Sequence, residues 1–170
     1  MELSEKLKIL LENFILTFNT YKVEYIAVGG VAVNHHGYSR ASNDIDFWYK
    51  PTIENFEKII SALNKLGYDT KDLSSMVFDA EKTILRLPLD YFKVELLPVL
   101  YEGMKSDESR RDFKNSLTRC EENNIGNTSF KVLGFEDLLY YKERSGRPKD
   151  LLDILELKNI HKNRANESKS

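Results

Sequence analysis

Two spacings of hydrophobic residues divide the chain into helices and strands. Apolar residues three or four positions apart predict helices, whereas short apolar runs and alternating runs predict strands. The predicted helices cover residues 2–20, 30–36, 53–66, 135–144 and 148–161, and the predicted strands cover 24–28, 44–49, 76–78, 83–87, 91–97 and 130–133. Residues 103–127 are polar and charged, and we interpret them as an excursion or a hairpin. The pattern predicts an α/β or α+β fold, with a small mixed sheet flanked by helices.

The strand predicted at residues 44–49 begins with an acid, an apolar residue and a second acid. Because strand side chains alternate between the two faces, Asp44 and Asp46 share one face while Ile45 lies on the other. Two carboxylates roughly 4 Å apart repel each other by about 4 kcal/mol at an effective dielectric constant of about 20. Such a pair is expected where a cation neutralises it, or where both acids are fully solvated.

Gly29 and Gly30 end the apolar run before this strand, and thirteen residues separate Gly30 from Asp44. Glycine permits a positive φ and lets the backbone come close to a ligand. A helix that starts here directs backbone N–H groups at the same spot, which suits a phosphate. A phosphate cradle beside paired carboxylates predicts a site for a metal-bound triphosphate. The alternative is a turn between two strands with an exposed acidic edge.

Length and composition narrow the class of protein. The 170 residues fit one domain, which we place at residues 1–162 with the helices of 135–161 packed on it and a frayed tail at 163–170. The net charge of −2 provides no basic field, so RNA binding would need a local patch. The single cysteine, Cys120, excludes an intrachain disulfide and fits a cytoplasmic location. No apolar run approaches the roughly 20 residues of a membrane span, so no membrane partner is expected.

Residues 26–49 resemble the nucleotidyltransferase superfamily, whose fold is that of DNA polymerase beta and the antibiotic nucleotidyltransferases. The superfamily pattern joins an apolar strand, a Gly-Gly or Gly-Ser pair, a spacer and an acid–apolar–acid strand. The segment is more similar still to a small bacterial group related to abortive-infection and toxin–antitoxin nucleotidyltransferases. The residues that match this group are Gly29, Gly30, Ala32, His36, Gly37, Arg40, Ser42, Asp44, Ile45 and Asp46.

The resemblance implies an enzyme that moves a nucleoside monophosphate from an NTP to a hydroxyl group. Two Mg²⁺ ions would be held by the carboxylates, because Mg²⁺ prefers oxygen ligands together with substrate phosphates. The acceptor would be RNA, a protein side chain or a small molecule such as an antibiotic. The closer group also implies a cognate antitoxin protein as a partner.

The resemblance implies a third acid on a neighbouring strand, and the chain offers Asp90 and Glu95. Asp90 follows Pro88, and proline is disfavoured inside a central strand, so we place Asp90 in a turn. Glu95 lies mid-strand between two apolar residues, where a lone acid is costly unless a cation pairs with it. We therefore predict Glu95 as the third metal ligand. The alternative is that Glu95 lies on an edge strand and pairs with Lys93.

A second segment that resembles the same group lies at residues 138–157. Its matching residues are Lys142, Gly146, Arg147, Lys149, Asp150 and Asp153, and Lys142, Arg144, Arg147 and Lys149 place four cations around one helix junction. The resemblance implies that Lys142 faces the nucleotide phosphates and that Asp150 orients it. We expect Lys142 to lie on a helix surface and to contribute little to folding. Asp150 has an ordinary alternative, because an acid in a first helical turn is stabilised by the helix dipole and by nearby cations.

Four polar residues before the acidic strand are further candidates. Arg40 suits bidentate contact with a phosphate, with a surface ion pair as the alternative. Ser42 offers a hydroxyl to a phosphate oxygen, with a turn cap as the alternative. His35 and His36 are adjacent, so in a helix they diverge by about 100° and cannot easily hold one metal. We expect them to be helix-end or core histidines.

Two classes of function therefore stand side by side. The first is the nucleotidyltransferase, which includes the antibiotic-modifying enzymes as one variant. The second is a catalytically silent nucleotide-binding or partner-binding protein on the same fold. Two features favour the silent protein. The third acid is Glu rather than the more usual Asp, and 170 residues leave little room for a separate acceptor-binding domain.

Overall fold

The computed structural model describes residues 5–105 and 111–167. Residues 2–4 of the first predicted helix, 106–110 of the predicted excursion and 168–170 of the predicted tail lie outside this range. The helices are α1 (Glu5–Thr20), α2 (Gly29–His35), α3 (Ile53–Lys65), α4 (Lys71–Ser75), α5 (Phe113–Leu117), α6 (Phe135–Ser145) and α7 (Pro148–Glu167). The strands are β1 (Tyr25–Ala27), β2 (Asp44–Tyr49), β3 (Leu85–Leu89), β4 (Phe92–Leu97), β5 (Glu121–Ile125) and β6 (Thr128–Val132).

The strands form a mixed sheet in the order β3-β4-β2-β1-β6-β5. Strand β2 lies inside it, parallel to β4 and antiparallel to β1, and β1 in turn runs parallel to β6. Antiparallel hairpins form both edges, β3 with β4 and β5 with β6. This six-stranded sheet with its flanking helices confirms the fold class predicted from the hydrophobic pattern.

One face of the sheet packs against α1 and α3. Phe14 of α1 stacks on Phe47 of β2 with 6.0 Å between ring centroids, and Phe56 of α3 lies 6.5 Å from Tyr49. The apolar stripe of α1 is buried, as its helical spacing predicts: Leu7, Leu11, Phe14, Ile15 and Phe18. Burial of each such side chain contributes about 1.5–3 kcal/mol to the stability of the fold. The main core therefore lies on this face of the sheet, and the acids of β2 lie on the other face.

The opposite face carries the acids of β2, and α5 and α6 cover its far end. Trp48 lies two residues beyond Asp46 on this face and is 1% exposed. Its ring packs edge-on against Phe113 at 5.2 Å and Tyr141 at 5.5 Å, and its Nε1 donates to the Pro98 carbonyl at 2.9 Å. The buried tryptophan therefore fixes how α6 lies over the sheet.

Three predictions of strands and loops differ from the structure. The strand predicted at 76–78 is wrong, because this apolar triplet has no neighbouring strand and Val77 is 90% exposed. The strand predicted at 83–87 is found two residues later as β3, whose position at the sheet edge accommodates Pro88. The excursion predicted at 103–127 contains the short helix α5 and then β5, which forms a hairpin with β6.

The last helix is longer than the sequence pattern predicts. Helix α7 continues through Glu167, so residues 163–167 are helical where a frayed tail is expected. Its second half is anchored by His161, whose ring stacks on Phe135 with 3.5 Å between centroids. Within the described residues, neither α7 nor any other helix combines the length and hydropathy needed to cross a membrane.

Candidate active site

Carboxylates from two parallel strands lie side by side within the sheet. Asp46 of β2 and Glu95 of β4 are register partners, so both side chains lie on the same face. Asp44 precedes Asp46 by two residues and shares that face. The alternation in β2 and the pairing of β2 with β4 therefore place three acids on one face, with Asp46 and Glu95 as direct neighbours.

The surroundings of Asp46 disfavour the ionised form of its carboxyl group. Its pKa is raised to about 6, first by burial and then by the charges of Glu95 and Asp44, while Arg147 and Lys149 oppose the rise. Among the described residues, none donates a hydrogen bond to its carboxylate. Because a buried carboxylate without a donor is costly, Asp46 is suited to bind a cation.

Of the two candidates for the third acid, the structure brings Glu95 and not Asp90 to this site. Asp90 lies in the turn between β3 and β4 with φ +56°, and its carboxylate pairs with Lys6 at 2.9 Å. Glu95 lies on an interior strand and accepts a hydrogen bond from Arg86 Nε at 2.8 Å, so its partner is not Lys93. The role of Glu95 as a metal ligand stays a prediction.

Gly29 allows the Asp46 carboxylate to lie against the start of α2. Gly29 has φ +55°, and a Cβ built there would overlap Asp46 Oδ2 and lie 2.9 Å from its Cγ. The preceding Val28 donates its N–H to the Asp46 carbonyl at 2.9 Å, which holds the two segments together. At Gly30, a Cβ would lie 2.8 Å from Ser42 Cβ. Both glycines are therefore required by close approaches of neighbouring atoms.

Gly29→Ala is expected to destabilise the protein by about 2–5 kcal/mol. A positive φ costs an L-residue roughly 1–2 kcal/mol, and the clash with Asp46 adds about 1–3 kcal/mol. Gly67→Ala is the matched control, because Gly67 has φ +89° and no atom lies within 4 Å of its Cβ position. Urea unfolding should show the smaller loss at Gly67, and equal losses would mean that Gly29 is not held against Asp46.

A cavity of about 580 Å³ opens on the acidic face, between the sheet and the α6–α7 pair. This volume lies within the range of small-molecule sites, roughly 300–1,000 Å³. Five of the predicted site residues line it, namely Gly29, Asp46, Glu95, Lys142 and Asp150. Tyr101 and Tyr141 add aromatic surface, so the cavity offers both charged and apolar contacts.

Lys142 is buried, and the expectation of a surface lysine is wrong. Its side chain is 6% exposed, and Nζ donates to Asp150 Oδ1 at 2.8 Å and to Asp153 Oδ2 at 2.6 Å. The turn between α6 and α7 explains this, because Gly146 adopts φ +62° and donates its N–H to the Lys142 carbonyl at 3.0 Å. This left-handed cap lets α7 fold back on α6, so acids from the first turns of α7 reach the lysine.

Asp150 joins Lys142 to a second cation. Arg147 donates from Nε to Asp150 Oδ2 at 2.6 Å and from Nη2 to Oδ1 at 3.3 Å. Burial opposes ionisation of Asp150, but the hydrogen bonds from Arg147 and Lys142 outweigh it and hold the Asp150 pKa at about 2. Asp150 therefore contacts the lysine that the resemblance assigns to it, and also fixes Arg147 at the wall of the cavity.

The four cations of the α6–α7 junction occupy different environments. Arg144 turns towards Tyr140, with its guanidinium carbon 5.3 Å from the ring centroid. Lys142 is compensated by its two carboxylates, whereas Arg147 is 71% exposed and lines the cavity. The charges of Arg147 and Lys149 both reach Asp46 and lower its pKa. Arg147, which is exposed at the cavity wall, is therefore more accessible to a phosphate than the buried Lys142, which the sequence alone favours.

Arg40 is held in an ion pair with Asp153 of α7. Its Nη2 donates to Asp153 Oδ2 at 3.0 Å, and its Nε lies 2.7 Å from Oδ1 without hydrogen-bond alignment. The Arg40 side chain is 13% exposed, so the pair is partly buried rather than superficial. Contact between Arg40 and a phosphate would require this pair to open.

The structure divides the predicted site residues between two cavities. Gly30, Ser42 and Asp44 line a second cavity of about 500 Å³, to which the β5–β6 hairpin contributes Asn123. Within its loop, Ser42 Oγ donates to the Asp44 carbonyl at 3.0 Å, which is the turn-cap arrangement. Asp46 and Asp44 therefore border different cavities although they share one face of β2.

The sheet and its acids define the fold. A mixed sheet that carries acids on parallel strands β2 and β4, with a Gly-Gly helix start against them, has the nucleotidyltransferase fold. Comparison with solved structures gives the same fold, whereas no protein-family model and no curated protein matches the sequence.

Two solved structures that match the chain are antibiotic nucleotidyltransferases. One is the crystal structure of the lincosamide antibiotic adenylyltransferase LnuA with bound lincomycin, with 20% identity and a TM-score of 0.57 over 94% of this chain and 99% of that chain. The other is the solution structure of the antibiotic-resistance factor ANT(2'')-Ia, with 12% identity and a TM-score of 0.51 over 95% of this chain and 94% of that chain. At these identities the likeness establishes the fold. The narrower resemblance to toxin–antitoxin proteins stays a prediction.

Proposed function

We propose that this protein transfers a nucleoside monophosphate from an NTP to a hydroxyl group of a small molecule. The observation that carries the proposal is the pairing of Asp46 with Glu95 across two parallel strands in the wall of the larger cavity. Two partly buried acids this close repel each other unless a cation lies between them. Arg147 and Asp150 line the same cavity, so the site joins acids suited to a metal with a cation suited to phosphate.

The three acids fit magnesium, which prefers carboxylate oxygens and substrate phosphates as ligands. Asp44, Asp46 and Glu95 would hold the two ions that the resemblance implies. The raised pKa of Asp46 and its carboxylate without a donor among the described residues support this assignment. Ions held by these residues would supply positive charge to the triphosphate and to the leaving pyrophosphate.

The cations of the α6–α7 junction prepare the site for the triphosphate. Asp150 holds the Arg147 guanidinium through two hydrogen bonds, so this cation is oriented before substrate arrives. Lys142 holds Asp150 in turn, and we assign to Lys142 a positioning role rather than direct contact. In the reaction, the acceptor hydroxyl releases its proton to solvent and its oxygen bonds to the α-phosphorus, the bond from this phosphorus to its bridging oxygen breaks, and pyrophosphate leaves.

Two observations favour a small-molecule acceptor over RNA or protein. The lincosamide adenylyltransferase is lincomycin-bound and 99% of its chain is covered in the alignment, so a fold of this size accommodates a small acceptor in that protein. The net charge of −2 provides no general attraction for RNA. Polyhydroxylated small molecules, antibiotics included, are therefore the first acceptors to test.

The test measures pyrophosphate release from each of the four NTPs in the presence of Mg²⁺. The acceptors are lincomycin, an aminoglycoside, total RNA and lysate protein, each in a separate reaction. Release that depends on a small molecule supports the proposal. Release only with RNA or protein would replace the acceptor class with the one that the toxin-related resemblance implies.

Glu95→Gln is expected to lower the transfer rate by roughly a hundredfold or more, because it removes a charged metal ligand. Asp90→Asn is the matched control and should retain activity, because Asp90 lies in a turn and pairs with the exposed Lys6. Asparagine also tolerates the positive φ of this position. Loss of activity in the Asp90 variant with retention in the Glu95 variant would reverse the assignment.

A catalytically silent nucleotide-binding protein is the second candidate. Arg86 favours it, because Arg86 Nε already occupies one oxygen of Glu95 at 2.8 Å. Calorimetry with Mg-NTPs distinguishes the two functions. Nucleotide binding without pyrophosphate release from any acceptor supports the silent protein, and release with any acceptor excludes it.

A further inference from the structure

Two of the three histidines of the chain meet a glutamate outside the acidic site. His35 is the last residue of α2, His36 caps that helix, and Glu121 begins β5. His35 Nε2 lies 3.0 Å from Glu121 Oε2, and His36 Nδ1 lies 3.9 Å from Oε1. One ligand atom from each of the three residues lies within 4.8 Å of the others.

The side chains converge because the helix ends between them. In a continuing helix His35 and His36 would diverge by about 100°, which is what the sequence predicts. His36 instead has φ −81° and ψ 4°, outside regular helix geometry. Its ring lies 5.1 Å from that of His35 at an interplanar angle of 85°, and both rings reach Glu121. His35 and His36 therefore occupy the expected helix-end and core positions, and the end of the helix lets both rings reach one carboxylate.

The hydrogen bond from His36 to a backbone carbonyl determines which ring nitrogen can bind a metal ion. His36 Nε2 lies 2.8 Å from the Leu133 carbonyl, and a carbonyl only accepts, so Nε2 carries the proton. In the neutral ring the lone pair of Nδ1 then lies on the side of the Glu121 carboxylate, while the His36 side chain is 4% exposed. Two electron-rich groups facing each other in this way repel unless a cation lies between them. Donation of the second ring nitrogen to a carbonyl is also the usual outer contact of a metal-bound histidine.

We propose that His35, His36 and Glu121 bind one divalent cation of the zinc class. Two imidazoles and a carboxylate form a zinc ligand set that leaves a fourth position open. Bonds of about 2.0–2.2 Å place tetrahedral ligand atoms about 3.3 Å apart. The three ligand atoms lie within 4.8 Å of one another, so a small contraction of the site would bring them to this spacing. Imidazole nitrogen suits zinc rather than magnesium, so this site and the carboxylate site select different ions.

The proposed cation would connect the end of α2 to the edge of the sheet. β5 is an edge strand paired with β6 alone, so a cation held by Glu121 and the two histidines would clamp this edge to α2. His35 also lines the second cavity, together with Gly30 and Asp44. One of the three proposed ligands therefore borders this cavity, whereas His36 and Glu121 do not.

Calorimetric titration with Zn²⁺ in excess Mg²⁺ tests the proposal, because Mg²⁺ occupies the carboxylate site. We expect one zinc ion per chain, and a visible spectrum of four-coordinate geometry when Co²⁺ replaces it. His35→Ala and Glu121→Gln should each weaken Zn²⁺ binding at least tenfold. Their side chains are 17% and 53% exposed, so both variants are expected to fold, which circular dichroism verifies.

The third histidine supplies the matched control. His161 lies near His36, with 6.5 Å between ring centroids, but it is not part of the ligand set. His161→Ala should bind Zn²⁺ as the unaltered protein does. The proposal is overturned if Zn²⁺ does not bind, if both ligand variants bind it with unchanged affinity, or if His161→Ala weakens binding as much as they do.

Discussion

Asp46→Asn is expected to reduce nucleotidyl transfer by roughly a thousandfold or more, because asparagine removes a charged ligand from the proposed metal site. The same change should stabilise the metal-free protein. The pKa of Asp46 rises from 3.8 to about 6 on folding, so its ionised form is disfavoured in the folded state. Two pKa units correspond to about 3 kcal/mol, which is an upper bound on the gain above pH 6.

The pH dependence distinguishes this explanation from a general effect on stability. A carboxyl with a raised pKa costs stability once it is ionised, so the unaltered protein should lose stability as the pH rises from about 4 to 6. Asp46→Asn should lack this loss, and the two proteins should become equally stable near pH 4. Urea unfolding in EDTA at pH 4, 5 and 7.5 measures the difference. Asp90→Asn is the control, and an identical profile for Asp46→Asn and the unaltered protein would contradict the electrostatic assignment.

Lys142→Met is expected to destabilise the protein by about 3–5 kcal/mol. Removing one partner from a buried ion pair strands the opposite charge, and here Asp150 and Asp153 would lose the donor that they share. A lysine on the surface would contribute at most about 1 kcal/mol. Denaturant unfolding at neutral pH should therefore separate the buried lysine from the surface lysine that the sequence suggests.

Lys158→Met is the matched control for this change. Lys158 lies on α7 with 55% exposure and pairs with Glu143 at 3.3 Å, so its loss should change stability by less than about 1 kcal/mol. The double variant Lys142→Met with Asp150→Asn should lose less than the sum of its single changes, because it strands one carboxylate fewer. Equal effects at Lys142 and Lys158 would contradict the buried network.

Local patterns predict how the two acids of β2 are arranged. The alternation of Asp44, Ile45 and Asp46 predicts that both carboxylates share one face of the strand. The third acid is implied by the resemblance, and Glu95 is favoured because its apolar neighbours require it to point to one face of a strand. Its position opposite Asp46 depends on the parallel pairing of β2 with β4, which no local pattern specifies.

The ion pairs made by the cations of the site could not be predicted from local patterns, because the two partners of each pair come from different elements. Lys142 lies on the buried face of α6, and a lysine at that position appears exposed until the acids of α7 fold back onto it. Arg40 is a loop residue whose partner, Asp153, is 113 positions away. The convergence of His35 and His36 depends on where α2 ends, and helix boundaries are the least certain part of a sequence-based assignment.

The ion pairs behind the cavity also limit how this protein can diverge. Five side chains of alternating charge follow one another in space, in the order Arg40, Asp153, Lys142, Asp150 and Arg147. Each inner member touches two opposite charges, so a neutral replacement at any inner position strands a partner. Mutational drift must therefore change these positions in compensating pairs. Arg40 lies in a loop, but its pair with Asp153 constrains its replacement in the same way as the charged residues of α6 and α7.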